Sequence, residues 1–231
     1  VEIIGNSRTA TLLFSILLAS GVTNTRISLS ASYKHPTVVD SDLGSGSLRT
    51  TDLGLNYKKR IEELAREWSL FPVASSFALA QRGAPKPVVP EKNLRIICGS
   101  FDSQYVEHLL RDGQDHFFVG RAPGHIATVG PFVQPGSTPC RRCLSLIEAD
   151  RVGVAELSIP LGTSDELPIA VAHQVAALAA HAALKFIDTG KTELQAAQLI
   201  VDFLDALNPQ LQHFPQHPEC ECLWTSADLI L

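Results

Sequence analysis

VEIIGNSRTATLLFSILLASGVTNTRISLS, residues 1–30, reads as a strand, a turn, a helix and a second strand in unbroken succession. Val1–Ile4 is short and apolar, as a buried strand is, and Gly5-Asn6-Ser7-Arg8 supplies turn-forming residues. A helix follows from about Thr9 to Ser20, with Gly21 as its stop. Leu12, Leu13, Phe14, Ile16, Leu17 and Leu18 place apolar groups all round that helix, so it is expected to be covered on most sides. Arg26–Ser30 is the returning strand. This unit opens a Rossmann-like fold.

Working outward, a polar Gly/Ser-rich loop runs from Tyr33 to about Asn56. A charged helix spans Lys58 to Trp68, with Ile61, Leu64, Ala65 and Trp68 at helical spacing. Phe71–Ser75 is a candidate strand and Gly83–Glu91, rich in Pro, a surface loop. Leu94–Cys98 is a strongly apolar strand, Gln104–Leu110 a helix, and His116–Gly120 and Ile126–Val133 are further strands. The longest helix runs from Leu167 to Asp188 and ends at Gly190, and Gln198–Phe203 is expected to be the final strand. The whole predicts an α/β fold with a mainly parallel sheet flanked by helices. It is read as one domain over 1–231, with a nucleotide-binding half at 1–135 and a cysteine-bearing half at 136–231.

The chain has 231 residues, 45% of them hydrophobic, which suffices for a substantial core. A net charge of -5 leaves no basic footprint, so no nucleic-acid partner is expected. Thr11–Ala19 is too short to span a bilayer, and no membrane association is expected. No methionine occurs, even at position 1, which suggests a piece of a longer protein.

Five cysteines are an odd number for a disulfide framework. Four fall in two tight pairs, Cys140-Arg-Arg-Cys143 after a Pro-Gly turn and Cys220-Glu-Cys222 after His217-Pro218. Short spacings let one turn supply two thiolates to a tetrahedral zinc, so a structural zinc in a reducing, cytoplasmic setting is expected. A Cys-x-x-Cys redox pair is the alternative, although redox chemistry needs no second pair. His217 is a substitute ligand, and Cys98, inside an apolar strand, reads as core.

Gly5, Asn6, Ser7 and Arg8 open a helix whose free amides and positive dipole end can hold a phosphate. An ordinary tight turn explains the same residues. Asp40–Arg60 gathers carboxylates, glycines and the bases Arg49, Lys58, Lys59 and Arg60 in a loop that can reach the nucleotide crevice. A solvated loop and helix face is the plain alternative. Asp102 lies four residues beyond Cys98, either to hold Mg²⁺ or to cap the helix at Gln104.

These elements in this order resemble the ThiF/MoeB-type adenylyltransferases, the superfamily of ubiquitin-activating enzymes. The resemblance covers nearly the whole chain. Val129-Gly130-Pro131-Phe132-Val133-Gln134-Pro135-Gly136, the Cys-x-x-Cys after it and His217-Pro218-Glu219-Cys220-Glu221-Cys222 look most like an actinobacterial ThiF-like branch, often labelled a bacteriocin cyclodehydratase partner. The resemblance implies Mg·ATP-dependent activation of a C-terminal carboxylate, through an acyl-adenylate, on a sulfur-carrier or ubiquitin-like protein or a precursor peptide. It also implies a homodimer. Carried over, Arg49 is the closest match to the phosphate-binding Arg, Asp52-Leu53-Gly54 with Lys58 resembles Asp-Ile-Gly-x-x-Lys with one extra residue before the lysine, and Asp102 matches the magnesium-supporting Asp.

The departures are specific. Gly-x-Gly-Gly-x-Gly is reduced to Gly5, the acidic residue that holds ribose appears as Ala31 unless Asp40 takes its place, and no cysteine is placed as a thioester nucleophile. Two functions therefore stand side by side: an active adenylyltransferase, and a catalytically degenerate scaffold for a precursor peptide or partner enzyme. A nicotinamide-dependent oxidoreductase lacks its dinucleotide fingerprint.

Overall fold

The computed structural model describes residues 1–5, 7–28, 36–44, 46–69, 93–99, 103–122, 124–152, 167–205 and 207–222. Asn6, Ala31, Asp102 and the candidate elements Phe71–Ser75 and Gly83–Glu91 lie outside them.

The opening unit forms as its sequence dictates. Strand β1 (Glu2–Ile4) leads into helix α1 (Arg8–Ala19) and then strand β2 (Arg26–Ser28), which pairs parallel with β1. Ser7 caps α1, its hydroxyl accepting from the Ala10 amide at 3.3 Å. Leu13 and Leu17 are fully buried and Leu12, Phe14 and Leu18 nearly so, the consequence of an apolar girdle on nearly every side. Two short 3₁₀ turns, Asp40–Asp42 and Thr50–Asp52, punctuate the polar loop before helix α2 (Tyr57–Trp68).

Strand β3 (Arg95–Cys98) lies parallel to β1 on the side away from β2, and helix α3 (Ser103–Arg111) leads to strand β4 (His116–Ala122), parallel to β3. Strands β5 (Ile126–Val133), β6 (Ala197–Asp202) and β7 (Gln210–His213) continue antiparallel, giving one sheet in the order β2-β1-β3-β4-β5-β6-β7. Parallel crossovers thus build the half that carries the nucleotide-type opening. In the other half short turns join β4 to β5 and β6 to β7, and the connection from β5 to β6 carries helices α4 (Arg141–Val152) and α5 (Ile169–Thr189).

Alternation along the strands splits the apolar residues between two cores. Ile3, Ile96, Phe117 and Val119 join α1 and helix α5 (Ile169–Thr189) on one face. Ile97, Phe118 and Val133 join Cys140, Cys143, Leu144, Phe214 and Cys220 on the other. Helix α5 is long and apolar enough to cross a bilayer by length and composition, yet Val175, Ala176, Ala179 and Ala183 are fully buried in the core. Gly190, in the left-handed region, ends it.

Two elements go beyond the sequence-based expectation. Helix α4 (Arg141–Val152) begins within the first cysteine pair, and β7 follows the strand expected to be last. Both are poor in apolar signal: α4 reads RRCLSLIEADRV, and β7 is the exposed edge strand QLQH.

Candidate functional site

The two cysteine pairs meet beneath the second core. Cys140 immediately precedes α4 and Cys143 lies in its first turn, with the Cys143 amide donating to the Cys140 carbonyl at 3.1 Å. The opposing turn is His217-Pro218-Glu219-Cys220, closed by the Cys220 amide on the His217 carbonyl at 3.0 Å. Gln216 Nε2 donates to the Cys220 carbonyl at 2.9 Å, so both backbone groups of that ligand are held.

Cys140 Sγ lies 3.6 Å from Cys220 Sγ, Cys143 Sγ lies 3.4 Å from Cys222 Sγ, and all four sulfurs fall within 4.8 Å of one another. A disulfide would bring two of them to about 2.05 Å. A tetrahedral ion bound through sulfur at about 2.3 Å separates its ligands by about 3.8 Å, close to the spacing present. The cluster can therefore hold a metal ion. A hydrogen bond from Cys222 lowers the pKa of the Cys140 thiol below its ordinary value, against burial. Burial, with the Cys140 charge beside it, pushes Cys220 up to about 12, and Cys222 rises as well through its bond to Cys140. Without a cation one thiolate forms at the expense of its neighbours.

His217, the substitute ligand considered from sequence, is committed elsewhere. Its Nδ1 accepts from the Glu219 amide at 3.1 Å, and its Nε2 meets Asp150 Oδ2 at 2.9 Å. Arg141, next to Cys140, lays its guanidinium over the Phe118 ring at 5.4 Å, and burial lowers its pKa.

The second candidate region is the crevice at the carboxyl ends of the parallel strands. Gly5 ends β1 with φ at 137°, and a Cβ there would stand 2.2 Å from the Cys98 carbonyl oxygen. Only glycine lets the turn sit against β3 so closely. Arg8 donates from Nε to the Leu43 carbonyl and from Nη1 to the Leu167 carbonyl, the latter at 3.1 Å. It ties the start of α1 to the polar loop and to the segment that enters α5.

Asp40 is exposed at the first 3₁₀ turn. Arg49 is exposed too, its backbone amide bonded to Asp52 Oδ2 at 2.8 Å, and Lys58 is exposed in the first turn of α2. The four cysteines are brought together by the fold, whereas among the described residues no hydrogen bond or ion pair joins Arg49 or Lys58 to Ser7, Arg8 or Asp40.

Sequence reasoning missed three polar arrangements: Asp52 with Arg60, Asp150 with His217, and Glu2 with Arg26 and Arg95 across three strands. The last had a signal, since each charged residue opens a strand in the same register. The other two join residues that no local spacing pairs.

No family model matches the chain, and no curated sequence does. Solved structures do match. Escherichia coli MccB with ATP superposes with a TM-score of 0.63 at 19% identity, over 96% of this chain and 66% of that one. The fold is similar to that of MccB. MccB with MccA-N7isoASN gives a TM-score of 0.67 at 17% identity with the same coverage. PaaA gives 0.57 at 15% identity, over 92% of this chain and 72% of that chain. The chain spans 66% of the MccB length, and at such identity the likeness establishes the fold alone. It agrees with the α/β fold and mainly parallel sheet expected from the sequence.

Proposed function

We propose that this protein is an adenylyltransferase-type enzyme that activates the C-terminal carboxylate of a peptide or small protein with Mg·ATP. The observation that carries the reading is the parallel order β2-β1-β3-β4 with α1 springing from the end of β1. The chain superposes over 96% of its length on MccB, solved with ATP and with MccA. A carboxylate oxygen would attack the α-phosphorus, the bond to the leaving pyrophosphate would break, and an acyl-adenylate would form. Arg49 and Lys58 are assigned to the phosphates and Asp102 to magnesium. Gly5, Asn6, Ser7, Arg8 and Asp40 are assigned to the nucleotide. Catalysis of this kind rests on positioning and on neutralising phosphate charge.

Cys140, Cys143, Cys220 and Cys222 are assigned to a structural zinc, on their all-thiol donor set and near-tetrahedral spacing. When bound, zinc would cross-link the start of α4 to the segment of residues 214–222. A homodimer in the cytoplasm completes the reading.

One observation favours a second reading, a degenerate scaffold that binds a precursor peptide or partner enzyme without activating it. The Ser7 hydroxyl already caps the α1 amide of Ala10, and Arg8 is already engaged by two backbone carbonyls. Calorimetric titration of Mg·ATP into the metal-loaded protein separates the two. Micromolar binding that Arg49→Ala abolishes supports the enzyme, and no heat up to millimolar ATP leaves the scaffold.

A further inference from the structure

We propose that His217 and Asp150 form a positioning pair that holds the second cysteine knuckle against the first and sets how long the metal stays bound. The inference rests on the zinc reading and is independent of whether the protein adenylates.

The ring of His217 is buried, and both of its nitrogens are used. Because Nδ1 accepts the Glu219 amide proton, the hydrogen-bond network assigns the other proton to Nε2, which donates to Asp150. The bond from Nδ1 to the amide two residues on closes an Asx-like turn. The His217 carbonyl then takes the Cys220 amide, so one residue shapes the turn with its ring and with its backbone.

Asp150 is what makes this more than a local turn. It stands on α4 seven residues beyond Cys143, about 10 Å along the helix axis. The His217–Asp150 bond therefore runs beside the metal cluster as a second tether between the same two segments. With it in place, Cys220 and Cys222 are held opposite Cys140 and Cys143 before any metal arrives. Without it, a thiolate that lets go of the metal swings away and rebinds more slowly. Partners bonded directly to a ligand typically change metal affinity by about 10–100-fold, and a tether one step further out acts below that range. The Asp150 side chain is 73% exposed, so its removal leaves no buried hole in the fold.

The test measures zinc release from the full zinc-loaded chain into a colorimetric chelator. Asp150→Ala is expected to release zinc several-fold faster, with an unchanged far-UV circular dichroism spectrum. Asp150→Asn, whose carbonyl can still accept from Nε2, is expected to stay near the wild-type rate. His217→Asn retains an acceptor for the Glu219 amide but cannot reach Asp150, so it should behave like Asp150→Ala. Wild-type release from both Asp150→Ala and His217→Asn overturns the pairing. A wild-type protein that binds no zinc in a metal assay overturns the metal reading beneath it, and that assay distinguishes the two failures.

Discussion

Arg60 donates from Nε to Asp52 Oδ1 at 2.7 Å, while the other oxygen of the same carboxylate accepts the Arg49 amide at 2.8 Å. Asp52 is buried at the end of a 3₁₀ turn, and Arg60 lies one turn into α2. One carboxylate thereby closes the turn and pins it to the helix that follows. The Asp of the Asp-Leu-Gly segment is a structural clasp.

Asp52→Ala should therefore destabilise the fold by about 2–4 kcal/mol, because the charged hydrogen bonds to Arg60 and to the Arg49 amide are lost together, although Arg60 keeps Glu63 and Glu67. In a chain of this size that lowers the melting temperature by roughly 5–15 °C. Urea unfolding followed by circular dichroism checks it. A midpoint equal to wild type would show that the clasp contributes nothing.

Gly5→Ala should be more damaging still. The residue has φ at 137°, and the added methyl carbon would stand 2.2 Å from a backbone oxygen of β3. Since β1 and β3 are neighbouring strands within the sheet, relief requires separating α1 from the sheet it crosses. We expect a loss above about 3 kcal/mol, read as low soluble yield or an early melting transition. A variant that melts with wild type would mean that the turn relaxes without cost.

These contacts mark what the sequence could disclose. Residues 1–30 were legible because apolar periodicity and a Gly stop are local signals, and the cysteine pairs because metal-ligand spacing is local too. The partners of Arg8 were not: Leu43 and Leu167 lie 35 and 159 residues away, so its charge was visible and its engagement was not. Helix α4 was hidden because its apolar residues are few among its charges, and Cys143 of its inward face reads first as a metal ligand. Strand β7 was hidden because an edge strand needs no apolar run.

Metal removal gives the next expectation. Cys140→Ser or Cys220→Ser should abolish stoichiometric zinc in a metal assay and lower the melting temperature by about 10 °C or more, since metal binding is coupled to folding. Chelation of the wild type should reproduce that shift, and added zinc should reverse it. If the wild type holds no metal and the variants melt with it, the cluster is only four neighbouring thiols.

The last expectation concerns acid. His116 opens β4 with no exposed surface; its Nδ1 is bonded to the Gln114 carbonyl at 2.7 Å, and its Nε2 is buried with no partner among the described residues. The edge of the ring packs against Phe118 at 5.5 Å. Burial lowers its pKa to about 4, against 6.5 for a free histidine, and the Gln114 bond only partly offsets this. Between those values the unfolded chain takes up a proton that the native chain refuses, so stability is full above pH 6.5 and falls as pH drops toward 4. The loss from this one group should reach about 2 kcal/mol at pH 5 and level off near 3 kcal/mol below pH 4. His116→Leu removes the titration, so its stability relative to wild type should improve by about that amount between pH 7.5 and pH 5. Urea unfolding of both proteins at the two pH values measures the double difference, in which the acid response of the cysteine cluster cancels. A double difference of zero would mean that His116 is protonated within the fold as readily as in water.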